Sequence, residues 1–284
     1  MLFGQAAMET LAASRVAVFG VGGVGGYVVE VLARSGVGAL DLYDSDQVDI
    51  TNCNRQIIAT VHHLGHYKVD VAAERIQSIN PNCKVRTYKM FYLASNADEV
   101  DLSVYDYVVD CIDTVSAKME LARRCHRLGV PHICSMGAAN KLDPTAFKVT
   151  DLSKTKNDPL AKVMRRRLRR EGINHCKCVC SDELPVRPVE PSAERAFGET
   201  RGVPASNAFV PAAEGVIVGG EVVKDLIAAA GACAAGPMNP DQRHQRRPCN
   251  KNSKFCQRQL LYSFFSIIRV NYQKKCLNLL QESL

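Results

Sequence analysis

Apolar and polar positions in the first 140 residues follow two alternating rhythms. Residues 15–19 (Arg-Val-Ala-Val-Phe) form a β-branched and aromatic run that stops at a glycine cluster, whereas 24–34 places Val24, Val28, Val31 and Leu32 at near-helical spacing. Strand, tight turn and helix are expected there. Gly36 and Gly38 end the helix, and 39–43 reads as a second strand running into Asp44. Further along, 68–78 predicts a helix, 84–90 a strand, 105–110 an apolar strand ending in an acid, 116–127 a helix and 130–135 another strand. Strands that alternate with helices favour a mostly parallel sheet with helices on both faces. After Asn140 the rhythm changes to a strand at 141–150, a basic helix, a proline-rich stretch at 185–204 and a last apolar element at 212–230.

The polar breaker run from Pro237 to Pro248 reads as a domain end, so the expected division is a folded unit over 1–236 and an atypical basic tail over 237–284. Within that tail, 260–270 is apolar enough for a short helix or strand. A chain of 284 residues with 46% apolar and 23% charged residues has the balance of a water-soluble globular protein. The longest candidate membrane span, 216–235, is interrupted by Glu221, Lys224 and Asp225. The net charge of +7 arises in the tail, which holds nine Lys or Arg against two acids and leaves 27 of each sign elsewhere. Overall basicity therefore says nothing about the partner of the folded unit. Twelve cysteines spread over a long chain, behind a start without the pattern of an export signal, read as reduced thiols in the cytoplasm.

Gly20-Val-Gly-Gly-Val-Gly25 satisfies G-x-G-x-x-G between a strand and a helix, the context in which Gly20, Gly22, Gly23 and Gly25 let backbone amides meet a phosphate. Asp44, about 20 residues on at the end of the second strand, can accept from ribose hydroxyls. This is the Rossmann-like arrangement, with the nucleotide at the carboxyl edge of the sheet. The loop alone leaves NAD, FAD and ATP open. Asp46, Asn52, Arg55, Gln56 and Lys68 follow closely, and such a cluster of cations and amides suits an enzyme that must neutralise charge at an α-phosphate and a departing pyrophosphate. Asp110-Cys-Ile-Asp113 ends a later strand at the same edge, with Asp113 as the Mg²⁺ carboxylate and Asp110 as a strand-end cap.

These residues together resemble the ubiquitin-activating-enzyme-like adenylating superfamily. The second half is similar to its tRNA threonylcarbamoyladenosine dehydratases, through Ser135-Met-Gly-Ala-Ala139, Leu142-Asp-Pro-Thr145, Asp158-Pro-Leu-Ala161 and Cys180-Ser-Asp-Glu-Leu-Pro-Val186. The resemblance implies a nucleotide half at about 11–140 and a substrate half at about 141–236. It implies ATP and Mg²⁺ as cofactors, with Arg55, Lys68 and Asp113 as catalytic groups. It also implies ATP-driven ring closure of the threonylcarbamoyl group on tRNA through an acyl-adenylate. A homodimer and sulfur-relay partners are further implications. An adenylating enzyme for a small carrier protein and a non-catalytic nucleotide-binding protein are the alternatives. The sequence given starts after the arginine-bearing helix that usually precedes the equivalent of Leu2-Phe3-Gly4, so weaker adenylation is expected.

Two further features qualify this reading. No two cysteines are three apart, so the paired C-x-x-C zinc site of the sulfur-carrier activators is missing. Cys176, Cys178 and Cys180 on one extended segment are spaced too widely to hold one ion among themselves, so packing plus exposed thiols is expected, with Lys177 lowering a neighbour's pKa. Residues 162–170 carry six cations in nine positions, which suits a phosphate-binding stripe for tRNA or a solvated helix face.

Overall fold

The computed structural model describes residues 2–187 and 205–232. The predicted basic tail, 237–284, lies outside the described residues. A seven-stranded sheet forms the centre, in the order β3-β2-β1-β4-β5-β7-β6. It comprises β1 (Arg15–Phe19), β2 (Ala39–Tyr43), β3 (Lys84–Tyr88), β4 (Tyr107–Asp110), β5 (His132–Ser135), β6 (Phe147–Asp151) and β7 (Lys177–Ser181). All neighbours pair in parallel except β6 and β7, which are antiparallel. The expected doubly covered, mostly parallel sheet is therefore present.

Alternation along the central strand assigns the faces. Val16 and Val18 of β1 pack with α2 (Gly25–Arg34), α3 (Lys68–Ile79) and α6 (Val210–Ala229). Ala17 and Phe19 point the other way, toward α4 (Val115–Leu128). A third apolar cluster joins α4 to α5 (Pro159–Arg170) over Cys134, Cys178 and Cys180. Buried on both faces, β1 and β4 read as continuous apolar runs, as parallel strands must.

Several boundaries differ from the sequence expectation. The strand expected over 141–150 begins only at Phe147, because Asp143 caps a single turn over Pro144–Ala146 by accepting from the Thr145 amide. The helix α1 (Gln5–Ala13) was not anticipated. Its apolar stripe is short, and only Ala7 and Leu11 are buried. The crossing of α6 on α2 rests on missing side chains. A Cβ at Gly215 would lie 2.4 Å from the Val24 carbonyl oxygen, and one at Gly219 would lie 2.8 Å from Val31 Cβ. Among the described residues, no helix is long and apolar enough to cross a membrane.

Candidate active site

The strand order reverses between β1 and β4, and a crevice opens there beyond the carboxyl ends of the strands, where ligands bind in such sheets. Its volume is about 520 Å³. Gly20, at the end of β1, has φ +84°, and a Cβ there would lie 2.7 Å from the Cys111 carbonyl oxygen, so both its conformation and its contacts exclude a side chain. Gly22 and Gly23 line the cavity with nothing closer than 3.4 Å to an added Cβ, which leaves their backbone open to a ligand. The amides of Gly22, Gly23 and Val24 have no hydrogen-bond partner among the described residues, and α2 begins without a side-chain cap. Unpaired amides at a helix start form an anion site. Gly25 is not on the cavity wall. A Cβ there would lie 1.8 Å from the Gly20 carbonyl oxygen, so its part is to let α2 close onto the loop.

The other residues singled out by sequence meet at the same cavity, which Asp44, Asp46, Asn52, Arg55, Gln56, Lys68 and Asp113 all line. Asp44 ties the glycine loop to β2: Oδ2 accepts from the Val21 amide at 2.7 Å and Oδ1 from the Asp46 amide at 2.9 Å. Burial lifts its carboxyl above the usual carboxylate range, opposed by Lys68 and by those two amides. Lys68 starts α3 with its side chain only 7% exposed, and its Nζ lies 2.7 Å from Oδ2 of the solvent-facing Asp46. Arg55 belongs to the loop after β2, where Asp49 and Asn52 form a capping box. Its Nη1 donates to the Thr51 carbonyl and to Asn54 Oδ1, both at 2.8 Å. Gln56 is buried on the wall with Oε1 unpartnered among the described residues, an orphan that a bound ligand donor would satisfy. Asp113 is exposed at the rim and, among the described residues, accepts only from the Thr114 hydroxyl, at 3.3 Å.

Beneath the cavity floor lies a buried network that sequence reasoning missed. Lys118 and Asp110 are both fully buried, with Nζ 3.0 Å from Oδ1. Nζ also donates to the Ile112 carbonyl at 3.0 Å, and the Ile112 amide donates to the same Asp110 oxygen at 3.1 Å. Asp110 is thus the strand-end cap expected of it, and Lys118 is its counterion. Burial by itself would lower the Lys118 pKa, but Asp110 and its neighbours outweigh it and the net shift is upward. One signal was available: Lys118 interrupts the apolar face formed by Ala117, Met119, Leu121 and Ala122.

Glu214 on α6 is a second buried acid without a sequence signal. Oε1 accepts from the Met136 amide at 2.9 Å, behind the wall formed by Met136 and Gly137, and Oε2 has no partner among the described residues. Burial raises its pKa well above the normal value. The folded state therefore holds a proton that the unfolded chain gives up near pH 4.5, so stability falls as pH rises from there toward the folded-state pKa. Glu214→Gln is expected to raise the melting temperature relative to wild type by more at pH 8 than at pH 5. Equal shifts at both pH values would mean that Glu214 is not held neutral.

The cysteine segment departs from expectation. Cys178 and Cys180 are buried and packed against α4 and α5, not exposed, and burial pushes the Cys180 thiol up to about 12. Lys177 points to the opposite face, where its Nζ lies 2.6 Å from Glu221 and 2.7 Å from Asp225 on α6, so it activates no thiol.

A doubly wound α/β sheet with open amides, two cations and acids at its switch point defines a nucleotide-binding protein. The chain belongs to the ThiF family, whose sequence profile matches residues 1–267. It is 46% identical over 234 residues to the tRNA threonylcarbamoyladenosine dehydratase of Bacillus subtilis, covering 80% of this chain and 92% of that protein. The fold is similar to crystal structures of the E. coli tRNA N6-threonylcarbamoyladenosine dehydratase in complex with AMP (TM-score 0.73) and with ATP (0.71). Both are 36% identical and cover 81% of this chain and 92% of theirs.

Proposed function

We propose that the protein is an ATP-dependent dehydratase of tRNA threonylcarbamoyladenosine. The carrying observation is the convergence, in one cavity, of unpaired amides at the start of α2 with the cations Arg55 and Lys68. Hydride transfer to a nicotinamide builds no charge at the pyrophosphate, whereas attack at an α-phosphorus builds negative charge on both phosphoryl oxygens and leaving group. In this reading the open amides hold the phosphates, Asp44 and Gln56 meet the ribose side, and Arg55 and Lys68 follow the growing charge. Asp113 would hold Mg²⁺, which usually takes only one or two protein carboxylates and retains waters. Mg²⁺ would neutralise the departing pyrophosphate.

The threonylcarbamoyl carboxylate attacks the α-phosphorus, the bond to pyrophosphate breaks, and an acyl-adenylate forms. A nucleophilic atom of the same side chain then attacks the acyl carbon, gives up its proton and releases AMP. One carboxylate oxygen leaves with the phosphate, so the nucleoside loses one water in total. No protein thiol is needed. Cys111, the cysteine among the described residues that lines the cavity, has its thiol pushed up to about 12 by burial, away from the thiolate that thioester chemistry needs. Incubation with ATP, Mg²⁺ and tRNA bearing the uncyclised nucleoside is expected to release AMP and pyrophosphate and to lower the nucleoside mass by one water. ATP binding without that mass change would refute the proposal.

The tRNA would approach along α5. Asp158 caps this helix and also accepts from the Gly137 amide at 3.2 Å, linking the helix start to the cavity wall. Lys162, Arg166, Arg167, Arg169 and Arg170 are exposed on it. Arg165 instead turns inward to the Thr155 carbonyl at 2.9 Å, so five of the six cations are available for phosphates. Replacing Arg166, Arg167 and Arg170 together by Ala is expected to weaken tRNA binding and to reduce the slope of log affinity against log salt by roughly 2–3. ATP affinity is expected to stay unchanged, and an unaltered salt slope would exclude α5 from the tRNA surface.

A further inference from the structure

We propose that His132, Cys134 and Cys176 form a zinc site that clamps β5 to the segment entering β7, behind the wall of the nucleotide cavity. One ligand atom from each of the three residues lies within 4.8 Å of the others. The parallel register sets Cys134 opposite Cys178, which brings Cys176 level with His132 on the same face. The Sγ atoms of Cys134 and Cys176 are 3.8 Å apart, and Cys134 Sγ is 3.5 Å from His132 Nε2. A tetrahedral Zn²⁺ with bonds of about 2.3 Å to sulfur and 2.0–2.1 Å to nitrogen has edges of about 3.8 Å between sulfurs and 3.5–3.6 Å between sulfur and nitrogen. Two of the three edges, Cys134–Cys176 and Cys134–His132, already stand at these lengths and the third lies within 4.8 Å, whereas a disulfide would need the sulfurs to close to about 2.05 Å.

The chemistry agrees with the geometry. Two thiolates and an imidazole suit Zn²⁺ rather than a hard cation, and the two thiolate charges neutralise the ion in a largely buried place. The hydrogen bond from the Cys134 thiol, with His132 beside it, lowers the Cys176 pKa against the opposing effect of burial. The buried Cys134 thiol would pass its proton to solvent on metal uptake. A cavity of about 350 Å³ has Cys176 on its wall, so solvent reaches that end of the site. Cys134 Sγ also lies 3.3 Å from Asp110 Oδ2, so the ion would bear on the carboxylate that positions Cys111–Asp113. These ligands come from two strands and do not depend on C-x-x-C spacing.

The test uses the full chain stripped with a chelator, reduced, and titrated with Zn²⁺ alone and with Co²⁺ alone, without ATP or tRNA. One equivalent of Zn²⁺ is expected to bind. Co²⁺ should give a near-ultraviolet thiolate-to-metal charge-transfer band and the intense visible bands of four-coordinate cobalt. Cys176→Ser and His132→Gln are half-buried substitutions, with folding checked by circular dichroism, and each is expected to weaken binding at least about 100-fold. Cys53→Ser, at an exposed position, should leave it unchanged. Full Zn²⁺ stoichiometry and affinity in both ligand variants would overturn the proposal, because the metal would then be held elsewhere in the chain. Failure of the wild-type protein to bind Zn²⁺, with a Cys134–Cys176 disulfide on mild oxidation, would overturn it in favour of a redox pair.

Discussion

Arg55→Ala is expected to lower pyrophosphate release by roughly 10²- to 10³-fold at saturating ATP and tRNA, the usual effect of removing one donor aimed at developing charge. Arg55 is half-buried and, among the described residues, its hydrogen bonds close only its own loop, through Thr51 and Asn54. Folding therefore has little to lose, and the melting temperature should shift by no more than an ordinary surface substitution allows. The stem of Arg55 passes Gly23, 3.6 Å from where a Cβ would be, so in the proposed reaction its head reaches phosphates held by the glycine loop. Arg55→Lys should recover only part of the rate, since a point charge cannot replace a fork that engages two oxygens. Wild-type release from Arg55→Ala would remove this residue from the mechanism.

Lys118→Met is expected to destabilise the fold by about 3–5 kcal/mol, the penalty for leaving a buried carboxylate without its partner. Both side chains have no solvent exposure, so water cannot take the place of the ammonium. Urea unfolding of Lys118→Met, Asp110→Asn and the double variant separates the pair from the shape of the site. The double variant should be markedly more stable than Lys118→Met alone, because the orphaned charge is gone. ATP affinity should fall in Lys118→Met as well, since Nζ also holds the Ile112 carbonyl beside the cavity. A loss below about 1 kcal/mol would show that Asp110 is neutralised by other means.

Local patterns carried much of the architecture. Arg15–Phe19, Ala39–Tyr43 and the helix between them are each defined by neighbours a few residues apart, and the glycine cluster marks the turn where backbone must approach backbone. The residues from Asp44 to Lys68 could be grouped because one loop and one helix start carry them, and the fold brings them to one cavity with Asp113. Gly25 matched the same motif, yet its place is under the helix and away from the cavity. A motif cannot distinguish a glycine that makes room for a ligand from one that makes room for the chain.

By itself, the sequence determined the alternating sheet, its parallel sense and the carboxyl edge at which charged residues gather, because these follow from periodicity and turn chemistry within single βαβ units. Only the tertiary structure decided which distant side chains share a buried environment. It sets Glu214 against Met136 across 78 positions and brings Cys176 to Cys134 across 42. Such pairs depend on strand order and on the register of β5 with β7. Strand order and register are set by packing of the whole core, a sum over contacts that no local stretch of chain encodes.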